Sequence, residues 1–460
     1  MTSTQSQVKR EGNIADSFVS LSGGNRPPLP ESFLTLKKSL VAGHEDKVIA
    51  SWQRLLGQLK RENRILATEG SKVIPSLEFA NLEGDLERLR SEIKKRGAAV
   101  VRGVIPEEEA RAYKSDIEEY VRQNPSTKGV TAFPQDNPQV YELYWSSPQI
   151  RARAHPNLLE VQSKLMNVWQ SSDPKSAISL SQTLAYADRL RIRQPGDATF
   201  ALGPHVDGGS VERWETNGYG LGGVYDKVFE GSWEEYDPWD AGARVFAVMD
   251  NYNGLGACSM FRMFQGWLSM SYTKGFEGTL LVNPLLQLST AYYLLRPFFR
   301  PVKQSKDLLS EEYLAAENWV FAGSEMTSEL HGATPGHGQE FSAEFHPHLE
   351  LDTTIHAVDK VHNGQSDSSV LYIPICPVTE QNAHYMVRQR KAFLDGTPGP
   401  DFPGGQGESK HINRPTVSYL QAHANSEGLR AFGFEKLITA ASDGPGAMDA
   451  KNKANEILGF

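Results

Sequence analysis

The segment Gly203-Pro204-His205-Val206-Asp207-Gly208-Gly209-Ser210 sets a histidine and a carboxylate two residues apart, behind an apolar run and ahead of two glycines. On a β-strand, residues two apart point to the same face, so the imidazole and the carboxylate converge while Val206 points away. With one more histidine this pair becomes a 2-His-1-carboxylate facial triad, the usual seat of a non-haem Fe(II) that activates oxygen. Short His-x-Asp strings also arise by chance, so the rest of the chain has to supply the second imidazole.

Six histidines crowd into one third of the chain: His331, His337, His346, His348, His356 and His362. A mononuclear site needs one of them, so most are structural. His356, in Thr354-Ile355-His356-Ala357-Val358, has the best setting, because it is apolar and is followed shortly by an expected strand at 370–376. A double-stranded β-helix draws its second histidine from a late strand beside the final core strand, and His356 fits that order. His346 and His348 compete as a His-x-His pair, but Pro347 between them disfavours a regular strand and favours a turn or pocket rim. His362 lies in the turn-like Val361-His362-Asn363-Gly364 and reads as a solvated loop residue.

The elements that must position these groups follow from pattern and composition. A chain of 460 residues with 39% hydrophobic and 10% aromatic residues has ample material for one large catalytic domain with helical additions. Forty glycines and 26 prolines provide the many turns of a β-rich core. Residues 1–30 are rich in Ser, Gly, Asn and Pro and read as disordered. From 31 to 96 the spacing of Leu36, Leu40, Trp52, Leu55, Leu56 and Leu59 is helical, and these helices are expected to pack outside a sheet. Residues 97–104 read as a buried strand. Pro106 and three glutamates then open a helix striped by Ala110, Tyr113, Ile117 and Tyr120.

The domain proper spans 97–382, with strands expected at 188–193, 199–207, 259–271, 278–282 and 370–376. A helical insertion at 285–345 carries helices at 285–295 and 310–321. Residues 383–460 form a C-terminal helical and loop extension. No internal repeat is evident.

A formal net charge of −9 argues against an electrostatically driven nucleic-acid or anionic-membrane binder and favours a small-molecule substrate. Two distant cysteines, Cys258 and Cys376, give no disulfide framework and no zinc cluster. With a polar N-terminus that lacks the apolar core of a signal peptide, and no apolar span of membrane length, the reading is cytoplasmic. Oligomeric state has no sequence signal.

Longer motifs add a family. Arg189-Leu190-Arg191-Ile192-Arg193-Gln194-Pro195-Gly196-Asp197, the segment from Leu202 through His205 and Asp207 to Trp214, Phe261-Arg262-Met263-Phe264-Gln265-Gly266-Trp267, Ile355-His356-Ala357-Val358-Asp359 and Val370-Leu371-Tyr372-Ile373-Pro374 together resemble the YbiU-like and Gig2-like family, over about residues 30 to 435. This is a largely uncharacterised family of the Fe(II)/2-oxoglutarate-dependent oxygenase superfamily. The resemblance implies an α+β protein with a double-stranded β-helix, the jelly-roll form shared with cupins. It implies Fe(II) held by His205, Asp207 and His356, 2-oxoglutarate as cosubstrate, and O2. The activity implied is a dioxygenase that oxidises a C–H bond of a small, carboxylate-bearing substrate, an aliphatic amino acid being one option.

Two departures from the family pattern matter. The connection Glu350-Leu351-Asp352-Thr353-Thr354 leads from His348 to His356 directly, without the Pro-Gly-Asp turn and strand that such oxygenases place there. The last expected core strand also lacks the arginine that commonly holds the distal carboxylate of 2-oxoglutarate, and a carboxylate buried there needs charged or multiple hydrogen-bond partners. Arg191 and Arg193 share one face of their strand and are candidates for that carboxylate, against a bland reading as an exposed basic face. Arg213 is a third candidate, with a salt bridge to Glu212 or Glu215 as its structural reading. Gln265 reads as a buried amide that bonds the cosubstrate or a neighbouring backbone. The alternatives are a cupin-type metalloenzyme that does not use 2-oxoglutarate, and a non-catalytic binding or sensor protein on the same fold.

Overall fold

The computed structural model describes residues 18–22, 28–129, 139–198, 202–254, 257–351, 361–402 and 405–460, the side chains of 21 and 22 excepted. His356 lies outside the described residues, and with it the shortened connection ahead of it from residue 352 onward.

Helices α1 (Val19–Ser22), α2 (Glu31–Val41), α3 (Glu45–Glu69), α4 (Leu82–Arg96) and α5 (Glu107–Gln123) open the chain. Strands β1 (Ser76–Glu78) and β2 (Val100–Arg102) form a parallel pair. Strands β3 (Val140–Tyr141), β4 (Ile178–Leu184), β5 (Leu190–Arg193), β6 (His205–Val206), β7 (Trp267–Ser269), β8 (Phe299–Pro301), β9 (Trp319–Phe321), β10 (Gln339–Glu340), β11 (Ser368–Tyr372) and β12 (Cys376–Thr379) follow. A four-stranded sheet has the order β3-β5-β11-β7, and β6 pairs with β10, β4 with β12 and β8 with β9. Helices Glu380–Asp395 and Pro445–Leu458 close the C-terminal part. Among the described residues no helix is long and apolar enough to cross a membrane.

The helical start agrees with the spacing, and its partners divide: Leu82 and Ile93 of α4 join the core of the four-stranded sheet. Rather than lying outside a sheet, α3 packs on α6 (Leu286–Leu295), a helix buried almost all round. Trp52 stacks on Phe299 with ring centroids 4.3 Å apart and on Tyr292 at 5.3 Å. A helix that is apolar on every face needs cover on every face, and the N-terminal helices provide it. The second expected helix of the insertion shortens to Glu311–Leu314, and Trp319-Val320-Phe321 instead pairs with β8. These β-branched and aromatic residues favour the strand.

A second core joins Leu190, Ile192 and Leu371 of the sheet to Tyr113 and Ile117 of α5. Strand β2 is edge-like rather than buried, with Val100 43% exposed, because one side of the two-stranded pair faces solvent. The expected strand at 259–271 contracts to β7 plus one bridge between Phe264 and Ile375. A Cβ at Gly266 would lie 2.4 Å from the Ile373 carbonyl oxygen, so the chain meets its neighbour too closely for a side chain, and Ile373 N–H donates to Gly266 O at 2.8 Å. The expected strand at 278–282 does not form: Leu280 makes a lone bridge, and just ahead of the segment Glu277 bridges to His362.

His346 and His348 sit beside the first core, and His348 belongs to the turn Pro347–Leu349. His348 shares a hydrogen bond of 3.0 Å between its Nδ1 and the Tyr292 hydroxyl. Burial, aided by the charge of Arg296, depresses its pKa to about 3. The unfolded chain binds this proton near the ordinary histidine value of about 6.5, whereas the folded chain refuses it until far lower pH, so stability falls as pH drops from about 6.5 toward 3. In urea-unfolding series between pH 7 and 4, His348→Gln is expected to reduce that loss by up to about 1.4 kcal/mol per pH unit relative to the parent. An unchanged slope would show that His348 is protonated in the folded chain.

Candidate metal centre

Strand β6 is two residues long and pairs antiparallel with β10, His205 opposite Glu340 and Val206 opposite Gln339. Its ends are tied by loop bonds: Phe341 N–H donates to Pro204 O at 2.9 Å and Thr334 N–H to the Ser210 hydroxyl at 2.9 Å. Beyond Asp207 the chain turns through Gly208 (φ +79°) and Gly209 (φ +95°). A Cβ on Gly209 would come within 3.2 Å of the Met249 carbonyl oxygen and of the Tyr219 ring. Both the backbone conformation and the space therefore demand glycine after the carboxylate. Glu212 then fastens the loop, its carboxylate accepting from Ser210 N–H at 2.8 Å and Asn251 N–H at 3.1 Å.

His205 and Asp207 meet as the strand period requires, with Nε2 of the imidazole 3.6 Å from Oδ1 of the carboxylate. The His205 Nδ1 lies 2.7 Å from the Gly203 carbonyl oxygen. A carbonyl only accepts, so Nδ1 carries a proton, and in the neutral ring the lone pair is on Nε2, toward Asp207. This is how ring orientation and tautomer are fixed in metal-binding histidines. Burial works to raise the Asp207 pKa, but the charges of His205, Arg262, Arg189 and Arg213 prevail and hold it below the ordinary carboxylate value. Its side chain is 44% exposed and opens on a cleft lined also by Phe18, Met249, Asp250, Arg262 and His337.

The other expected site residues are placed as follows. Arg191 and Arg193 are fully buried rather than forming an exposed basic face. Arg193 Nε reaches Asp197 Oδ2 at 2.5 Å, and Arg191 donates to Gly278 O at 3.1 Å and lies 4.5 Å over the Trp267 ring. Arg213 is buried behind the ligand loop, where it donates to Asp207 O at 3.1 Å and Gly209 O at 3.2 Å and lies over the Tyr219 and Tyr293 rings. Gln265 is exposed and outside any strand, its side-chain oxygen accepting from Arg262 at 3.0 Å. His362 is buried, not solvated, through backbone bonds to Gly196 and Asp197. Among the described residues no third histidine, cysteine or acid joins His205 and Asp207 as a metal-binding group.

The side chain the sequence reading passed over is Arg262. Its guanidinium lines the cleft 4.0 Å from Asp207 Oδ2 and lies 5.6 Å over the Tyr186 ring. A charge set between Phe261 and Met263, both buried, was the available signal, because cations are rarely drawn inside without a purpose or partner.

Comparison with known proteins adds to this geometry. The Gig2-like family model matches residues 27–355 and 352–434, two stretches that meet just ahead of His356. The chain is 30% identical over 403 residues to the uncharacterised protein YbiU of Escherichia coli K12, covering 81% of this chain and 88% of that one. The crystal structure of GlcNAc Inducible Gene 2 from Candida albicans is similar with a TM-score of 0.81 and 29% identity, over 95% of this chain and 97% of the other. A protein of Salmonella typhimurium LT2, provisionally described as an oxidoreductase, is similar with a TM-score of 0.72 and 30% identity, over 88% and 98%. On the extent of the family match and the identity to YbiU, this chain belongs to the Gig2-like family.

Proposed function

We propose that this protein is a non-haem Fe(II)- and 2-oxoglutarate-dependent oxygenase that oxidises a C–H bond of a small, carboxylate-bearing substrate. In this reading the fold is a double-stranded β-helix and the metal is held by His205, Asp207 and His356. The observation that carries it is the convergence of His205 Nε2 and Asp207 Oδ1 at 3.6 Å, with Nδ1 engaged on Gly203 O. One imidazole and one ionised carboxylate on one strand face, the carboxylate opening on a cleft, fit an Fe(II) donor set. The provisional oxidoreductase description of the Salmonella relative agrees with oxidative chemistry.

When bound, the metal supplies oxygen activation coupled to conversion of 2-oxoglutarate to succinate and carbon dioxide. The chain's own part is to hold the ligands and to position the organic groups. Arg213 ties the backbone of the ligand loop through the Asp207 and Gly209 carbonyls, fixing where Asp207 points. Arg193 is occupied by Asp197, and Arg191 by Gly278 and Trp267, so neither is the strongest candidate for a ligand carboxylate. Arg262 is better placed, since it opens on the same cleft as Asp207 and its planar fork suits a carboxylate bidentately. We assign it to 2-oxoglutarate.

Anaerobic titration of the purified chain with Fe(II) is expected to show one equivalent bound. Affinity should fall roughly 100-fold or more in His205→Ala, Asp207→Ala and His356→Ala, since even supporting residues around metal sites cost 10- to 100-fold. Failure of the parent protein to bind Fe(II) would defeat the proposal, and unchanged affinity in His356→Ala would remove that residue from the ligand set. Adding 2-oxoglutarate should produce a weak visible charge-transfer band. Oxygen consumption without succinate would favour the cupin-type alternative.

Arg262→Ala is expected to raise the 2-oxoglutarate concentration needed for half the visible band by about 10- to 100-fold, the usual weight of a hydrogen-bonded charge. Arg262→Lys should fall between, keeping the charge without the fork. If both variants titrate like the parent, the cosubstrate carboxylate is held elsewhere.

A further inference from the structure

The short N-terminal segment Phe18–Ser20 lies against the same strand face that carries the candidate metal ligands, although nearly 190 residues separate them in sequence. The Phe18 ring meets the His205 imidazole edge-on, with centroids 4.8 Å apart at an interplanar angle of 64°. The Ser20 backbone N–H is shared between both oxygens of the Glu340 carboxylate, at 3.3 and 3.4 Å. Glu340 is the residue directly opposite His205 in the β6–β10 pair. Directly opposed residues of an antiparallel pair project to the same side, and so does Asp207, two positions along from His205. Two independent contacts thus lay one segment across a single face. Phe18 also lines the cleft onto which Asp207 and Arg262 open, and it is itself buried, with 8% of its surface exposed.

We infer that residues 18–20 form a strap that closes the ligand face of the site, Phe18 being its plug and the Ser20–Glu340 bond its latch. Substrate gains the cleft by displacing Phe18. The segment precedes residue 27, where the family match begins, so this closure is not part of what the family model describes. The contacts that hold it include a shared backbone hydrogen bond and an aromatic contact, with Phe18 and Val19 both buried. The inference rests on reading His205 and Asp207 as ligands.

The test uses the metal-free, full-length protein, so a failure of iron binding would leave its readout intact. Diethyl pyrocarbonate modification of His205 is followed by peptide mass spectrometry, with exposed His384 as internal reference. Phe18→Ala is expected to speed His205 modification about fivefold, in line with the worth of an edge-on aromatic contact, while Phe18→Trp stays near the parent rate. Ser20→Pro removes the N–H given to Glu340 and should also speed it. His384 should be unchanged in all three. Equal His205 rates in Phe18→Ala and the parent would overturn the strap, and so would a parallel rise at His384, which would report general loosening. An unaltered rate in Ser20→Pro would overturn the latch.

Discussion

Everything at the candidate site hangs on a ladder of two residues against two, His205–Val206 beside Gln339–Glu340. So short a pair has little stability of its own. It is held because the loops at its ends are held: Phe341 on Pro204, Thr334 on Ser210, Glu340 on Gly332, and Glu212 on two backbone amides. The geometry of His205 and Asp207 is therefore a property of the surrounding loops more than of a sheet, and the glycines after Asp207 are as much a part of it as the histidine.

The same-side pairing of His205 and Asp207 was legible in the sequence because it needs only the two-residue period of an extended chain. The shared face of Arg191 and Arg193 was legible for the same reason. Their burial was not, since a charge on a strand is expected in water unless its partner is known. For Arg193 the partner is Asp197, returned to it by the turn at Pro195 and Gly196, where Gly196 has φ +80°. Local spacing identifies the turn, but only the folded backbone shows that it closes an ion pair.

The misplaced elements have a common cause. Gln265 has the apolar flanks of a buried strand amide, yet it is exposed and lies outside a strand, between the Phe264–Ile375 bridge and β7. The stretch ending at Trp319-Val320-Phe321 read as helical until β8 offered it a partner. Helices α2 and α3 join the core around Trp52 while Leu82 and Ile93 of α4 join the core of the four-stranded sheet, a division periodicity does not show, because it reports that a face is apolar and not what covers it. Contacts between distant segments decide such cases, and so they decided Arg262, whose place beside Asp207 no local pattern contains.

The site also draws on two separate cores. The ligand loop leads into Val211, Trp214 and Tyr219 of the core built around Trp52, while Arg262 is flanked by Phe261 and Met263 of the core beneath the four-stranded sheet. The 4.0 Å approach of Arg262 to Asp207 spans that seam. A ligand held at one end by the loop and at the other by Arg262 would join the two cores, so occupancy would raise the stability of the fold by mass action as well as supply chemistry in the cleft.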